Sequence, residues 1–228
     1  MPYGSFARKT KVRPLDDIDM LLLLNGKHTV QEYYSGYIYS IRISDSSSPL
    51  YRYTNDNDAY LNSTRILNKI KDVLSKVPNY QKADLKRNNV AVVLKLASYP
   101  WAFDIVPAFP ISDNMGGISH YLIPDGNGRW TRTDPRRDKK AITDANKYHN
   151  QNLIPLIRII KHWNARYYDV PTISSYLLET ILINGFKSYN PLQGIRGSIP
   201  TAFAVLASSI QFSCADPKQL GANLDVTL

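Results

Sequence analysis

A chain of 228 residues with 43% hydrophobic content is long enough for one large domain or two small lobes around a sizeable core. Its 28 Lys and Arg against 19 Asp and Glu leave a net charge of +9, which suits polyanionic partners such as nucleoside triphosphates or nucleic acid, or simply a basic solvated surface. One cysteine, Cys214, excludes an internal disulfide and a cysteine-based zinc site, and the four histidines show no metal-ligand spacing. No signal peptide, lipidation motif or run of about 18 apolar residues is present, so a cytoplasmic protein is expected.

From the N-terminus, Gly4-Ser5 forms a small-residue turn, followed by a basic and polar loop and then Asp17-Ile-Asp19 before the apolar run Met20 to Leu24. In a strand, alternate residues share a face, so Asp17 and Asp19 point one way while Ile18 and Met20 point into the core. Two carboxylates beside such a turn suit divalent metal and phosphate. Tyr33, Tyr34, Tyr37 and Tyr39 crowd the next stretch. Residues 37–42 alternate as a strand would, and the tyrosines read as half-buried packing with wet hydroxyls rather than as a base-stacking platform. Ser44 to Pro49 is loop by composition.

Ile66, Ile70, Val73, Leu74 and Val77 then recur at helical spacing until Pro78 stops them. Val90 to Leu96 reads as a buried strand paired with Trp101 to Ala108 across a turn at Ser98-Tyr-Pro100. Asp104 is the only charge in the second strand. An unpaired acid is costly to bury, and a metal would offset that cost; Asp104 is therefore the natural third ligand for a site begun by Asp17 and Asp19. Turns come next at Asp113 to Gly117 and Asp125 to Gly128, flanking a short strand from Ser119 to Pro124. Arg129 to Arg137 combines four arginines with Trp130, either a rim facing a nucleotide or a solvated basic loop pinned by the indole.

The remainder reads as helical. Asp138 to Asn150 is a polar helix, and Asn152 caps another that carries Pro155 in its first turn and a stripe of Leu156, Ile159, Ile160 and Trp163. Arg158 and Lys161 lie three apart on a different face, within reach of one phosphate region. Asp169 to Thr172 starts a helix over Ile173 to Lys187, in which Glu179 can hold Tyr176 or a basic neighbour. A last helix spans Pro200 to Cys214, whose apolar surroundings suggest a buried structural thiol.

Gly4-Ser5, Asp17-Ile-Asp19 and Asp104 within FDIVPAF together resemble the DNA polymerase beta-like nucleotidyltransferases. Leu156 to Asn164 and Ser174 to Glu179 are similar to the donor-binding helices of the branch that holds oligoadenylate synthetases, cyclic GMP-AMP synthase and the bacterial CD-NTases of CBASS anti-phage systems. The resemblance implies an α+β, bilobal fold with a mixed palm sheet over residues 1–135 and a helical lobe over 136–228 that completes a donor nucleotide cleft. Relatives extend further at each end, so a chain trimmed at both termini is expected. By the same resemblance Asp17, Asp19 and Asp104 are catalytic and bind two Mg²⁺ (or Mn²⁺) ions; Gly4 and Ser5 hold the terminal phosphates, Lys161 contacts the triphosphate, and Ser175 and Tyr176 line the donor base.

The resemblance implies in turn an enzyme that joins NTPs, ATP among them, into a cyclic or linear oligonucleotide second messenger with release of pyrophosphate. The product would act on a separate effector. A nucleic-acid activator is permitted but not required, and the enzyme is expected to be a monomer. Two other readings compete: a tRNA CCA-adding or other RNA-terminal nucleotidyltransferase, and a non-catalytic nucleic-acid-binding module using the basic surface. The short chain, without an evident tRNA-binding region, argues against the first, and the intact aspartates against the second.

Overall fold

The computed structural model describes residues 1–12, 16–167 and 172–224. The chain divides into two compact units: Met1–Tyr3 with Asp16–Asp134, and Gly4–Leu15 with Pro135–Leu228. One turn of helix, α1 (Gly4–Ala7), opens the second unit's N-terminal segment. The chain then enters the first unit.

That unit is a mixed sheet of β1 (Asp17–Leu23), β2 (Thr29–Ser35), β3 (Ile38–Ile43), β4 (Asp84–Asn88), β5 (Ala91–Lys95), β6 (Ala102–Ser112), β7 (Ile118–Pro124) and β8 (Trp130–Thr133), with helix α2 (Ser63–Ser75) between β3 and β4. The strand order is β2-β3-β8-β7-β6-β5-β4, with β1 added beside β6. The long strand β6 is shared by two ladders. Its first part lies between parallel β1 and antiparallel β5, and from Phe109 onward it pairs with β7. Pro107 and Pro110, which cannot donate a ladder hydrogen bond, fall near this handover.

The apolar faces are laid down by alternation. Leu21, Val106, Ala108 and Ala91 form one buried cluster with Tyr121, and Tyr39, Ile41, Ile43, Phe109, Leu122 and Trp130 another. Helix α2 packs against β4 to β7. Its amide ladder starts where the Asn62 side chain accepts from the Arg65 N–H, and it ends before Pro78, as the spacing of Ile66 and Ile70 requires. The β5–β6 hairpin across Ser98 to Pro100 forms as the sequence predicts, with Val93 opposite Asp104.

Several expectations are corrected. Leu22 and Leu23 are exposed; alternation turns Leu22 away from the face of Leu21, but does not account for Leu23. Gly36, at φ 54°, turns the tyrosine stretch into a β2–β3 hairpin, and of its tyrosines only Tyr39 is buried; Tyr33, Tyr34 and Tyr37 stand in solvent. The stretch from Arg129 is not a loop. Trp130 is fully buried in β8, stacks edge-on against Phe109 and donates from Nε1 to the Leu61 carbonyl at 2.9 Å, which anchors a strand paired to both β3 and β7.

The second unit adds α3 (Pro135–Tyr148), α4 (Leu153–Arg166), α5 (Ser175–Phe186) and α6 (Ile195–Ser209) around one core that includes Ile142, Leu156, Ile160, Leu178, Phe186 and Ala202. Asn152 does not cap α4 with its side chain. It donates instead to the Leu192 carbonyl at 3.0 Å, while the Asn146 side chain accepts from Ile154 N–H at 2.9 Å. The buried stripe of α4 carries Ile157, and Ile159 is exposed. Helix α6 begins at Ile195 and keeps Pro200 inside it, earlier than a helix started by proline. The expected start at Asp169 to Thr172 lies, up to residue 171, outside the described residues. Cys214 is half-buried rather than sealed in the core, its thiol near Asn184 Nδ2 at 3.7 Å. Among the described residues no helix is long and apolar enough to cross a membrane.

Helices α5 and α6 approach closely at Gly185, where a Cβ would collide with Val205. Valine is stiff in a helix and cannot swing aside. Gly185→Ala is therefore expected to destabilise the protein by roughly 1–3 kcal/mol, read as a lower denaturant midpoint with an unchanged slope.

Candidate active site

Parallel pairing places Asp17 opposite Ala102 and Asp19 opposite Asp104. Since aligned residues on neighbouring strands point to the same face, all three carboxylates emerge together, beyond the polar end of the face whose apolar end holds Leu21, Val106 and Ala108. One ligand oxygen from each of Asp17, Asp19 and Asp104 lies within 4.8 Å of the others, and all three residues are half-buried. Three carboxylates this close repel one another unless a cation or proton intervenes, so the cluster has the donor set of a hard divalent metal. It could bind metal.

The chain's first residues support this cluster from the other side of β1. The Tyr3 N–H donates to the Asp19 carbonyl at 3.0 Å and the Leu21 N–H to the Met1 carbonyl at 2.8 Å, so Met1–Tyr3 runs alongside β1. Burial pushes the Tyr3 phenol well above its ordinary value, and the charges of Asp19 and Asp104 push it further. It stays neutral beside the carboxylates. Nothing in the sequence marks Tyr3 except its place before the Gly-Ser turn.

The other expected site residues belong to the second unit. Gly4 adopts φ 69°, a left-handed conformation that suits glycine, and the Ser5 carbonyl accepts from the Thr10 and Lys11 amides at 3.0 and 3.2 Å. Lys161 is not a solvent-facing lysine. It is 4% exposed and its Nζ donates to Glu179 Oε1 at 2.6 Å, while Arg8 Nε donates to Glu179 Oε2 at 3.0 Å. One buried carboxylate thus holds two cations, one from α4 and one from the segment after α1. Arg158, expected to work beside Lys161, is exposed instead. Removing either partner of such a buried pair costs about 3–5 kcal/mol, so Lys161 and Glu179 are tied to stability whatever else they do.

Tyr176 sits in a second polar cluster. Its hydroxyl lies 2.7 Å from Asp138 Oδ1 and 3.0 Å from Asp216 Oδ1 and accepts from Lys218 Nζ at 2.6 Å; the Arg8 guanidinium lies 5.3 Å from its ring centre. A phenol has one proton and cannot donate to both carboxylates at once. Consistently, burial raises the Asp138 carboxyl above its ordinary value, against the opposing pull of Lys218. Ser175 is exposed at the first position of α5, and the neighbouring Ser174 makes the cap by accepting from Leu177 N–H at 3.2 Å.

Mn²⁺ is expected to raise the thermal midpoint of the wild-type protein by several degrees, since a ligand bound only to the folded state stabilises it by mass action, and to leave that of Asp104→Asn unmoved. Asp138 is an acid whose folded value is raised, so the folded state binds more protons than the unfolded one just above pH 3.8. The stability it lends is complete below that pH and is lost as pH rises through the folded value. Asp138→Asn should therefore melt higher than wild type near pH 8 and lose the advantage near pH 4, in thermal scans across that range.

The family model for the Second Messenger Oligonucleotide or Dinucleotide Synthetase domain matches residues 40–146, a span that contains Asp104. A probable cyclic nucleotide synthase of Bacillus cereus strain VD146 is 41% identical over 223 residues, 98% of this chain; the chain spans 66% of that protein's length. Among solved structures, the CdnE cyclic dinucleotide synthase of Elizabethkingia meningoseptica, determined with GTP and Apcpp, superposes with a TM-score of 0.62 at 17% identity, covering 98% of this chain and 75% of the other. The last shows the fold alone. The family model and these relatives make the chain similar to second-messenger oligonucleotide and cyclic nucleotide synthases.

Proposed function

We propose that this protein is a metal-dependent nucleotidyltransferase that joins NTPs into a cyclic or linear oligonucleotide second messenger, releasing pyrophosphate, for anti-phage signalling. The observation that carries the reading is the convergence of Asp17, Asp19 and Asp104 within 4.8 Å. The name of the Bacillus relative, a probable cyclic nucleotide synthase, supports the product class. ATP is among the expected substrates, as an ATP analogue accompanies GTP in the Elizabethkingia structure.

In this reading the three carboxylates are the ligands of two Mg²⁺ or Mn²⁺ ions. Such ions lower the pKa of an acceptor hydroxyl and take up charge on the departing pyrophosphate. Asp104, paired on both sides within the sheet, orients the acceptor hydroxyl; the rigidity of a central strand keeps it in place. Gly4 and Ser5 hold the terminal phosphates through backbone N–H groups and the Ser5 hydroxyl. Lys161 supplies positive charge for the triphosphate, with Glu179 fixing its ammonium. Tyr176 stacks on the donor base through its ring, its hydroxyl tethered by Asp138, Asp216 and Lys218, and Ser175 lies beside it. The palm, expected over residues 1–135, corresponds in this reading to Met1–Tyr3 with Asp16–Asp134, and the helical lobe, expected over 136–228, to Pro135–Leu228 joined by Gly4–Leu15. The protein is proposed to work as a cytoplasmic monomer whose product acts on a separate effector, with no obligatory nucleic-acid activator.

Incubation with each α-labelled NTP, singly and mixed, in Mg²⁺ or Mn²⁺, with and without RNA, tests the reading. A short phosphatase-resistant oligonucleotide formed without RNA is the expected product; label transferred only to an added tRNA end would overturn it. Asp104→Asn removes several kcal/mol of transition-state stabilisation and should slow product formation roughly a thousandfold. Tyr176→Ala should raise the apparent donor KM through loss of about 1–3 kcal/mol of stacking, and Tyr176→Phe should raise it less.

A further inference from the structure

The strand register carries the face that bears the aspartates onward into β5 and β4. Residues directly opposite on paired strands share a face, so Asp17, Ala102, Lys95 and Asp84 form one row, and Asp19, Asp104, Val93 and Lys86 the next. On the other face of β5 and β6, Val92, Leu94 and Ile105 are buried, whereas Lys86 and Lys95 are exposed. Acids on β1 and β6 are thus followed by lysines on β5 and β4, all within the first unit.

The floor between the two groups is low. Ala102 separates Asp17 from Lys95, Val93 separates Asp104 from Lys86, and both are half-buried. Strands about 4.8 Å apart set β4 about 10 Å from β6, a gap that a nucleotide bridges from its sugar hydroxyl to its outer phosphates. Lys95 is the diagonal neighbour of Asp104, about 7–8 Å away across the β5–β6 ladder.

Lys95 is also the uncommitted cation of the pair. Its cross-strand partner is Asp84, yet Asp84 Oδ2 takes Lys86 Nζ at 2.7 Å, and no carboxylate among the described residues pairs with Lys95. All three of its N–H donors stay available to oxygen. An exposed lysine is ordinarily a solvated charge. This one stands where a phosphate approaching three carboxylates would be repelled, and an ammonium beside Asp104 offsets that repulsion.

We propose that Lys95 binds the 5′ phosphates of the acceptor nucleotide, with Lys86 at their outer end, so that the nucleotide lies over Ala102 and Val93 with its sugar hydroxyl at Asp104. The acceptor is then a free nucleoside triphosphate held by its charge. The assignment rests on the transfer reaction proposed above and names its acceptor; Lys95 binds substrate and takes no part in bond making.

The binding half of the test needs no turnover. Protein labelled with ¹³C at the lysine ε-carbon is titrated with ATP and with adenosine in Ca²⁺, the Lys95 signal being the one lost in Lys95→Arg. ATP is expected to shift that signal saturably, and adenosine to leave it in place. The second half measures transfer of label from α-labelled ATP to the four NTPs and to their nucleosides, which cannot serve as donors. The wild-type enzyme should prefer an acceptor triphosphate to its nucleoside about tenfold or more. Lys95→Ala should cut that preference about tenfold by raising the acceptor KM, with kcat and the thermal midpoint unchanged, and Lys95→Arg should restore most of it. A Lys95 signal that ATP leaves unmoved or that adenosine moves equally, or an intact triphosphate preference in Lys95→Ala, overturns the proposal even where product forms. A phosphate-dependent shift at Lys95 with no product from any NTP upholds the phosphate site and overturns the reaction instead.

Discussion

The pairing of β1 with β6 is the constraint on which the rest of the first unit depends. Register and face are coupled in a strand, so the same alignment that buries Leu21 against Val106 sets Asp19 beside Asp104. A shift by one residue would turn the aspartates toward the opposite face and bring Ile18 and Met20 to the metal side. The apolar cluster therefore acts as the gauge that fixes the acidic one. Trp130 and Phe109 secure the far end of the same strand, and Met1–Tyr3 flanks β1 where β6 does not.

In the helical unit the organising charge is a single carboxylate. Glu179 gathers Lys161 and Arg8, and Arg8 in turn lies over the Tyr176 ring, whose hydroxyl joins Asp138, Asp216 and Lys218. Two acid clusters of different kinds result. That of the sheet has carboxylates gathered as a metal would need them, and that of the helices has carboxylates already matched by lysine and arginine.

Much of this was legible because it rests on local pattern. Asp17 and Asp19 alternate on a strand, Asp104 is an acid where apolar residues are expected, and the helix ended by Pro78 repeats its isoleucines at helical spacing. The resemblance of these motifs to the CD-NTases supplied the fold class. Features that depend on distant partners were hidden. Glu179 shows its neighbours on α5 but not that α4 and the N-terminal segment deliver cations to it, and the strand character of residues 130–133 depends on Leu61 and Phe109, remote in sequence. The caps misled for the same reason: Asn152 has the chemistry of a cap, yet the carbonyl of Leu192 competes for it and Asn146 takes its place. Lys95 carried no motif, and only the register of β5 against β6 puts it on the aspartate face.

The order of the strands along the chain has a consequence for how the protein comes to be made. Between Asp19 and Asp104 lie β2 to β5 and α2, so the two carboxylates meet only by closing a long loop, the slow kind of contact in folding. A nascent chain that has emerged through β5 already holds two of the three aspartates but no site. Synthesis of β6 completes the central strand and the aspartate cluster in the same step, while β7 and β8 are still to come. The three carboxylates therefore cannot meet before the strand that carries the last of them is in place.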